Sequence, residues 1–249
     1  GILIVALGVL IYLFYPQISS TLFGGGAKSP SETIQGCLEP TLKEQTDLIS
    51  AQGGSLSPTH YFSYRGDSIQ YLCYTNEYYK TCVNQQPMLK QYVEAQIKKA
   101  VEAKATECFN SMKTTFQKQG YDVNAKEGDV GVELLPKRVV VNLNSQMTLT
   151  RAGQTENYNS FRVILTNNLY ELVSIANSIL NAEAALGDFE TTTYMNYYHD
   201  LKVEKLLQTD GTKVIILTDR NNGNKFQFAS RSVAWPPGYG ITEQLSTMG

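Results

Sequence analysis

Hydrophobic side chains are distributed very unevenly along this chain. Residues 1–27 contain no charged residue, and residues 1–15 are almost entirely aliphatic or aromatic. A helix over this stretch rises about 1.5 Å per residue, which is enough to cross the hydrocarbon of a bilayer. We therefore predict a long hydrophobic N-terminal helix, the tail, over residues 1–23. It belongs in a membrane or in a bundle of like helices.

Several residues in the tail and directly after it have expected roles of their own. Pro16 lacks a backbone donor and predicts a kink in the tail. A glycine triplet predicts a flexible hinge over residues 24–30; its members are Gly24, Gly25 and Gly26. The residues that we expect to pack in the membrane or against copies of the tail are Ile2, Leu3, Ile4, Val5, Leu7, Gly8, Val9, Leu10, Ile11, Leu13 and Phe14.

The part after the hinge, the head, begins with a well-marked amphipathic helix. Ser29 stands at the cap position, Pro30 follows in the first turn, and Glu32 completes a capping box. Glycines at 53–54 end the helix. Pro40 inside it predicts a kink or a break. The apolar face consists of Ile34, Leu38, Leu42 and Ile49.

Three further helices are predicted in the head. Apolar residues recur at helical spacing over residues 87–119, the strongest periodic pattern of the head. A third helix runs from Asn168, whose spacing to Glu171 fits a capping box, to Gly187. A short fourth helix covers residues 190–199.

Alternation of apolar and polar residues predicts strands elsewhere. Residues 68–74 and 78–82 are interpreted as two short facing strands. Residues 138–150 alternate without interruption, which predicts one long strand that returns through residues 161–165 as a hairpin. The last part predicts an antiparallel meander, because Asp-Gly and Asn-Gly turns separate its segments. These segments are residues 201–207, 213–219 and 225–231.

Together these elements predict an α+β fold. We expect a long hydrophobic N-terminal helix followed by a globular head of amphipathic helices packed on an antiparallel β-sheet. The head is long enough to bury one core. The expected organisation is a tail over 1–23, a glycine-rich hinge over 24–30, a head over 31–235 and a C-terminal extension over 236–249.

The cysteines are the second informative feature. The chain has 4 cysteines, and an even number behind a segment that argues for export predicts two disulfides in an oxidising compartment. Of the three connectivities we favour Cys37 with Cys108, because both lie on apolar helix faces. This choice pairs Cys73 with Cys82 on facing strands. The alternative is four buried free thiols in a cytosolic protein.

Charge and catalytic chemistry exclude several functions. The net charge is −2, which gives no broad attraction to nucleic acid or anionic lipid. The chain has 2 histidines, His60 and His199, but no G-x-S-x-G motif whose serine a histidine could activate as a base. Two histidines are also too few for ordinary zinc sites. We therefore expect no catalytic residue, no metal and no cofactor. The 16 tyrosines suit strands, and also suit recognition of a protein or sugar.

The order of parts resembles type IV pilin-like proteins, in which a kinked hydrophobic N-terminal helix and a short hinge precede a mixed α/β head. The segment from Cys37 to the glycines at 53–54, with Cys108 on the second helix, is similar to exported archaeal proteins that carry pilin-type (class III) leaders. This resemblance implies export through a pilin-processing peptidase and packing of tails in a filament core. Val5 stands where many bacterial pilins carry a glutamate.

Two functions are expected from these features. In the first, the chain is a structural subunit of an extracellular pilus-like filament. It is inserted in the membrane before assembly and then joined to copies of itself by bundled tails. In the alternative, the tail anchors a single extracellular head that binds a host surface or a glycan through its tyrosines and does not polymerise. Both place the head at the cell surface, and neither involves nucleic acid.

Overall fold

A computed structural model describes residues 28–234 of the chain. Four helices and twelve strands follow one another within this range. The helices are α1 (Pro30–Ala51), α2 (Leu89–Lys118), α3 (Leu169–Leu186) and α4 (Thr191–Tyr197). The strands are β1 (Tyr61–Tyr64), β2 (Asp67–Tyr74), β3 (Val83–Asn84), β4 (Asp122–Lys126), β5 (Val130–Leu135), β6 (Arg138–Leu143), β7 (Gln146–Arg151), β8 (Gln154–Tyr158), β9 (Phe161–Thr166), β10 (Leu201–Leu207), β11 (Thr212–Asp219) and β12 (Lys225–Arg231).

The largest sheet has six strands and is mixed. Its order is β1-β2-β12-β11-β10, and β3 pairs with the end of β2. The meander of β10, β11 and β12 is antiparallel, as the turn signals predicted. The pairing of β12 with β2 is parallel. It joins the last strand of the head to one that lies before α2, so an early and a late part of the head pair within this sheet.

The other two sheets are the two halves of one three-stranded ribbon. β4, β7 and β8 form one half, and β5, β6 and β9 form the other; all pairings are antiparallel. The single long strand predicted over residues 138–150 is therefore two strands, β6 and β7. The predicted hairpin is present, but both of its arms change sheet halfway along.

The change of sheet is fixed by a close approach of two backbone segments. The backbone N–H of Asn144 donates to the carbonyl oxygen of Asp129 at 2.9 Å, and the Gly128 N–H donates to Ser145 Oγ at 3.0 Å. A Cβ atom added to Gly128 would lie 1.9 Å from the carbonyl oxygen of Asn144. This corner consequently requires glycine at position 128.

The first helix forms as predicted at its start but is not broken by proline. The Ser29 N–H donates to Glu32 Oε2 at 2.8 Å, and the Glu32 N–H donates to Ser29 Oγ at 3.2 Å, so the capping box is present. The helix continues through Pro40 to its end. Because Pro40 and Gly36 are both exposed, water can satisfy the carbonyl group that the proline leaves without a donor.

The predicted capping box of α3 is wrong. Asn168 stands at the cap position but makes no side-chain capping bond, because its amide donates to the Asp219 carboxylate instead. Glu171 turns away from the helix start and accepts the backbone N–H of Lys137 at 2.9 Å. The side chains of Asn168 and Glu171 therefore bond to residues outside the helix instead of capping its first turn. The predicted end of the helix at Gly187 is correct, and that residue has a φ of 82°.

Helices α1, α2 and α3 pack against the sheets around one large hydrophobic core. Its largest fully buried side chains include Phe109, Phe161, Phe226 and Phe228. Alternate positions of the six-stranded sheet bury a second, small cluster, formed by Ile69, Tyr71, Val214 and Ala229. The core therefore ties the two halves of the ribbon and the large sheet into one head.

The predicted fold class needs correction in two respects, although the α+β composition is present. The helices pack on three sheets rather than one, and the largest sheet is mixed rather than antiparallel. The described range also contains no long apolar N-terminal helix: its first helix, α1, is amphipathic. None of the helices between residues 28 and 234 has the length and apolar character needed to span a bilayer. The predicted tail helix lies outside the described residues.

Candidate functional site

The start of the head is cross-linked to its core. Cys37 on α1 and Cys108 on α2 form a disulfide with a Cα–Cα distance of 5.8 Å, the pairing predicted from the sequence. Cys108 is buried at the α1–α2 contact, and Cys37 packs against the core. The bond lies only two turns after the helix begins at Pro30. Any pull on the chain before α1 is therefore passed directly to α2.

A second contact fixes the same turns of α1 to the ribbon. The side-chain amide nitrogen of Gln35 donates to the carbonyl oxygen of Ile164 at 2.9 Å, and the Ile164 N–H donates to Gln35 Oε1 at 3.0 Å. Ile164 belongs to β9, which is an outer strand of its sheet. The first turns of α1 are thus held to α2 by a disulfide and to β9 by a pair of hydrogen bonds.

The second predicted disulfide, between Cys73 and Cys82, is also present, with a Cα–Cα distance of 5.4 Å. Its strand register differs from the prediction. Cys73 in β2 faces Asn84 rather than Cys82, and residues 78–82 do not form the expected partner strand. The bond therefore runs diagonally and closes the end of a loop of residues 75–82, the tyrosine loop.

The tyrosine loop displays aromatic side chains on a fixed backbone. Tyr78 and Tyr79 are 64% and 75% exposed. The Tyr79 N–H donates to the carbonyl oxygen of Val233 at 2.6 Å, and the guanidinium of Arg231 lies 5.6 Å from the centre of the Tyr78 ring. The backbone of the loop is held by Val233, just after β12, and by the disulfide. Exposed aromatic rings on such a backbone are suited to contact another molecule.

The two histidines of the head have different surroundings. His60 packs against the rings of Tyr71 and Tyr74, at centroid distances of 4.7 and 4.3 Å. The Tyr71 hydroxyl shares a hydrogen bond of 2.8 Å with Thr212 Oγ1, and burial raises the pKa of Tyr71. His199 is exposed after α4. Within residues 28–234, no group of three or more histidine, cysteine or acidic side chains could hold a metal ion.

A group of charged side chains inside the head was not predicted. This buried ion cluster consists of Glu183, Asp188, Lys205 and Lys213. The Lys213 ammonium lies 2.8 and 2.9 Å from the two carboxylate oxygens of Glu183 and 3.0 Å from Asp188 Oδ1. Lys205 donates to both oxygens of Asp188, at 3.0 and 3.1 Å. The Glu183 side chain is 0% exposed and that of Lys213 is 8% exposed.

The surroundings of the cluster treat its two carboxyl groups differently. Burial raises the pKa of Glu183, and the opposing effects of Lys213 and Ser230 do not cancel this. Burial alone would also raise the pKa of Asp188, but Lys213 and Lys205 outweigh it and hold that pKa below its ordinary value. The deeper carboxyl group therefore retains a proton more readily than the outer one.

Two serines connect the cluster to the second disulfide. Ser230 Oγ donates to Glu183 Oε2 at 2.8 Å and lies 3.8 Å from the sulfur of Cys82. Ser232 Oγ donates to the carbonyl oxygen of Glu183 at 3.1 Å and accepts the N–H of Cys82 at 3.0 Å. The polar atoms at the centre of the head therefore form one connected network.

The sequence contained a signal for this cluster. Glu183 lies four residues after Ile179 and three after Leu180, on the face of α3 that is otherwise apolar. Lys213 occupies a buried strand position two residues before Ile215. An acidic and a basic residue on core-facing positions of separate elements predict a buried pair, because an unpaired buried charge is too costly.

Only some of the predicted site residues lie within the part of the chain that the structure describes. The four cysteines lie in the head, in two separate places. Pro16, the hinge glycines Gly24, Gly25 and Gly26, and the predicted packing residues between Ile2 and Phe14 lie outside the described residues.

No protein-family model, curated protein or solved structure gave a match to this chain. What the protein does must therefore be inferred from its own residues and geometry.

Proposed function

We propose that this chain is an extracellular structural subunit that joins copies of itself into a pilus-like filament. Residues 1–23, the hydrophobic segment, would be stored in the membrane and then packed together in the filament interior, while the heads face outward. The observation that carries the proposal is the Cys37–Cys108 disulfide, which fastens the helix next to that segment to the centre of the head.

The two disulfides support an extracellular location. Disulfides persist in oxidising compartments and are rare in reducing ones. Both bonds bury at least one cysteine in the core, and no cysteine within residues 28–234 is left free. A chain that carries an uncharged hydrophobic segment ahead of such a head has the composition of an exported protein.

The attachment of α1 supports a structural role. In a filament held together by the hydrophobic segments, tension enters each head at Ser29 and would peel α1 from the core first. The disulfide at Cys37 stops this peeling after two turns, and the Gln35 amide holds the same turns to Ile164. A single head anchored at a membrane carries no tension from neighbouring subunits, so it has less need for such an attachment.

A second function is favoured by the tyrosine loop. In this case the hydrophobic segment anchors a single head, and the exposed rings of Tyr78 and Tyr79 contact a protein or a glycan. Aromatic rings on a rigid loop lose little conformational freedom on binding. This function and the filament are compatible, since a filament surface can also carry binding sites.

The test compares the full chain with a truncated chain that lacks residues 1–23. The full chain is purified in detergent under oxidising conditions, the detergent is removed, and the product is examined by electron microscopy and sedimentation. The proposal expects regular filaments from the full chain and a folded, soluble monomer from the truncated chain. Filaments formed by the truncated chain would contradict the role of the hydrophobic segment. A full chain that enters vesicles only as separate molecules would favour the anchored binding protein.

A further inference from the structure

The amino group of Lys213 is held against two carboxyl groups inside the head. Its nitrogen lies 2.8 and 2.9 Å from the two oxygens of Glu183 and 3.0 Å from Asp188 Oδ1. We propose that Lys213 and Glu183 condense into an intramolecular amide between Nζ and Cδ, which links β11 covalently to α3. This inference does not depend on how the protein assembles.

The arrangement places the reacting atoms together before any reaction. Because Nζ is almost equally far from both oxygens of Glu183, it lies on the plane that bisects the carboxyl group and contains Cδ. A turn of the carboxyl group about the Cγ–Cδ bond presents the face of Cδ to the nitrogen. Groups held at such distances react as if at very high concentration. Water competes weakly here, since Glu183 is 0% exposed and Lys213 is 8% exposed.

Burial also favours the protonation states that condensation needs. Two unlike charges at this depth have lost most of their hydration. A proton that moves from the Lys213 ammonium to the Glu183 carboxylate leaves a neutral amine and a neutral acid. The raised pKa of Glu183, which burial causes, acts in this direction. The neutral amine is the nucleophile, and the neutral acid is the electrophile.

The reaction balances with no further reagent. The lone pair of Nζ attacks Cδ of Glu183 and forms the C–N bond. The developing negative charge on Oε2 is stabilised by Ser230 Oγ, which donates to that oxygen at 2.8 Å. Asp188, whose carboxylate contacts Nζ, accepts a proton from the nitrogen and delivers it to the hydroxyl group at Oε1. The C–O bond breaks, one water molecule leaves, and nothing is oxidised or reduced.

The same neighbours fit the product. The carbonyl oxygen of Gly187, 2.7 Å from Nζ, can accept the remaining N–H of the amide. Ser230 keeps a carbonyl oxygen as its acceptor. Lys205 still donates to both oxygens of the Asp188 carboxylate, at 3.0 and 3.1 Å. After condensation, these two residues form the one ion pair of the cluster that remains, on the side of the cluster nearer to solvent. The charges that disappear are the two most deeply buried ones.

The test is the intact mass of the full chain, measured after folding in oxidising buffer and then under denaturing and reducing conditions. The proposal expects a mass one water molecule below that of the sequence. Digestion with trypsin should then join residues 163–202 to residues 206–220, because Lys213 is no longer cleaved. A mass equal to that of the sequence overturns the proposal. So does a loss of water with the two peptides separate, as a succinimide at Asp210-Gly211 would give.

Two variants test the assigned roles. Asp188→Asn removes the proton acceptor but keeps the shape of the side chain, and we expect it to fold with both disulfides and to retain the full mass. Lys202→Met on β10 is the matched control. Its ammonium pairs with Glu204 at the surface, and we expect the variant to lose water as the wild type does. Complete loss of water by Asp188→Asn would overturn the role of Asp188.

Discussion

Gln35 and Ile164 are 129 positions apart in the sequence, yet the side-chain amide of Gln35 pairs with the backbone of Ile164 as a neighbouring strand would. One bond of 2.9 Å and one of 3.0 Å satisfy the N–H and the C=O of a residue on the outer strand β9. Exposed strand edges invite pairing with other chains. A helix side chain therefore closes part of this edge within the same molecule.

Replacement of Gln35 should weaken the attachment of α1. Gln35→Ala removes both bonds to Ile164, and because the site is half-exposed we expect a loss of about 1 to 2 kcal/mol in the free energy of unfolding. Urea unfolding of the truncated chain measures this. Glu44→Ala, at an exposed position of the same helix, is the control and should change stability by less than about 0.5 kcal/mol. If the two substitutions lowered the free energy of unfolding equally, the hydrogen bonds between Gln35 and Ile164 would make no special contribution to stability.

The two disulfides should stabilise the head to different extents. Cys37 and Cys108 are 71 positions apart, whereas Cys73 and Cys82 are 9 apart. In the chain-entropy model, removal of the first bond by double alanine substitution costs about 4 kcal/mol and removal of the second about 3 kcal/mol. Thermal unfolding of the two double variants provides the comparison. A larger loss from the short loop would show that strain or packing, rather than loop entropy, dominates.

Two glycines should respond in opposite directions to alanine. Gly128→Ala places a methyl group 1.9 Å from the carbonyl oxygen of Asn144, so the corner of the ribbon must shift, and we expect a loss of about 1 to 3 kcal/mol. Gly36→Ala places its methyl group at an exposed position of α1, where no atom other than the adjacent helix backbone and its chain neighbours lies within 4 Å. It should gain about 0.5 to 1 kcal/mol. Denaturant midpoints measured side by side on the truncated chain check both signs.

In a head whose Lys213 and Glu183 are still an ion pair, acid should weaken the buried ion cluster through Asp188. Its pKa in the folded head is below the ordinary value of 3.8, because Lys213 and Lys205 outweigh the effect of burial. The stabilisation is therefore present above pH 3.8 and is lost as pH falls through the folded pKa. Glu183 has a raised pKa and acts in the opposite direction, so it is left unchanged in the test.

The variant for this measurement is Asp188→Asn. We expect it to be about 2 kcal/mol less stable near pH 7 than the wild-type head that has not lost water, because hydrogen bonds between charged groups are lost. The two proteins are compared as chains of full mass. The difference should shrink as pH falls below 3.8. A difference that stays constant from pH 7 to pH 2 would assign the effect to packing rather than to charge.

Local patterns predicted most of the elements but not where the chain changes partners. The face of α2 and the meander follow from apolar spacing and turn residues. The division of residues 138–150 left no local signal, because Leu143, Ser145 and Met147 are all buried and the alternation continues across the corner. The corner depends on contacts with Gly128 and Asp129, which lie between β4 and β5.

Long-range pairings explain the remaining errors. The parallel contact of β2 with β12 joins positions about 160 residues apart, for which periodicity carries no information. Cys73 and Cys82 were paired correctly in the wrong register, because the turn between them is longer than a tight hairpin. The pairing of Glu183 with Lys213 does not follow from either element alone, because each residue is a single polar position among apolar ones in its own helix or strand.

The disulfide between Cys37 and Cys108 also limits how far a single head can be stretched. The bond bridges 71 positions of chain. Fully extended, this stretch would measure about 250 Å at about 3.5 Å per residue, and the disulfide prevents that extension. The Cys73–Cys82 loop lies wholly inside this span, so its opening would release no extra length. A head pulled from its two ends would keep residues 37–108, which include β1, β2, β3 and the first part of α2, in a closed ring. It would lengthen only through the part beyond Cys108 and the few residues before Cys37.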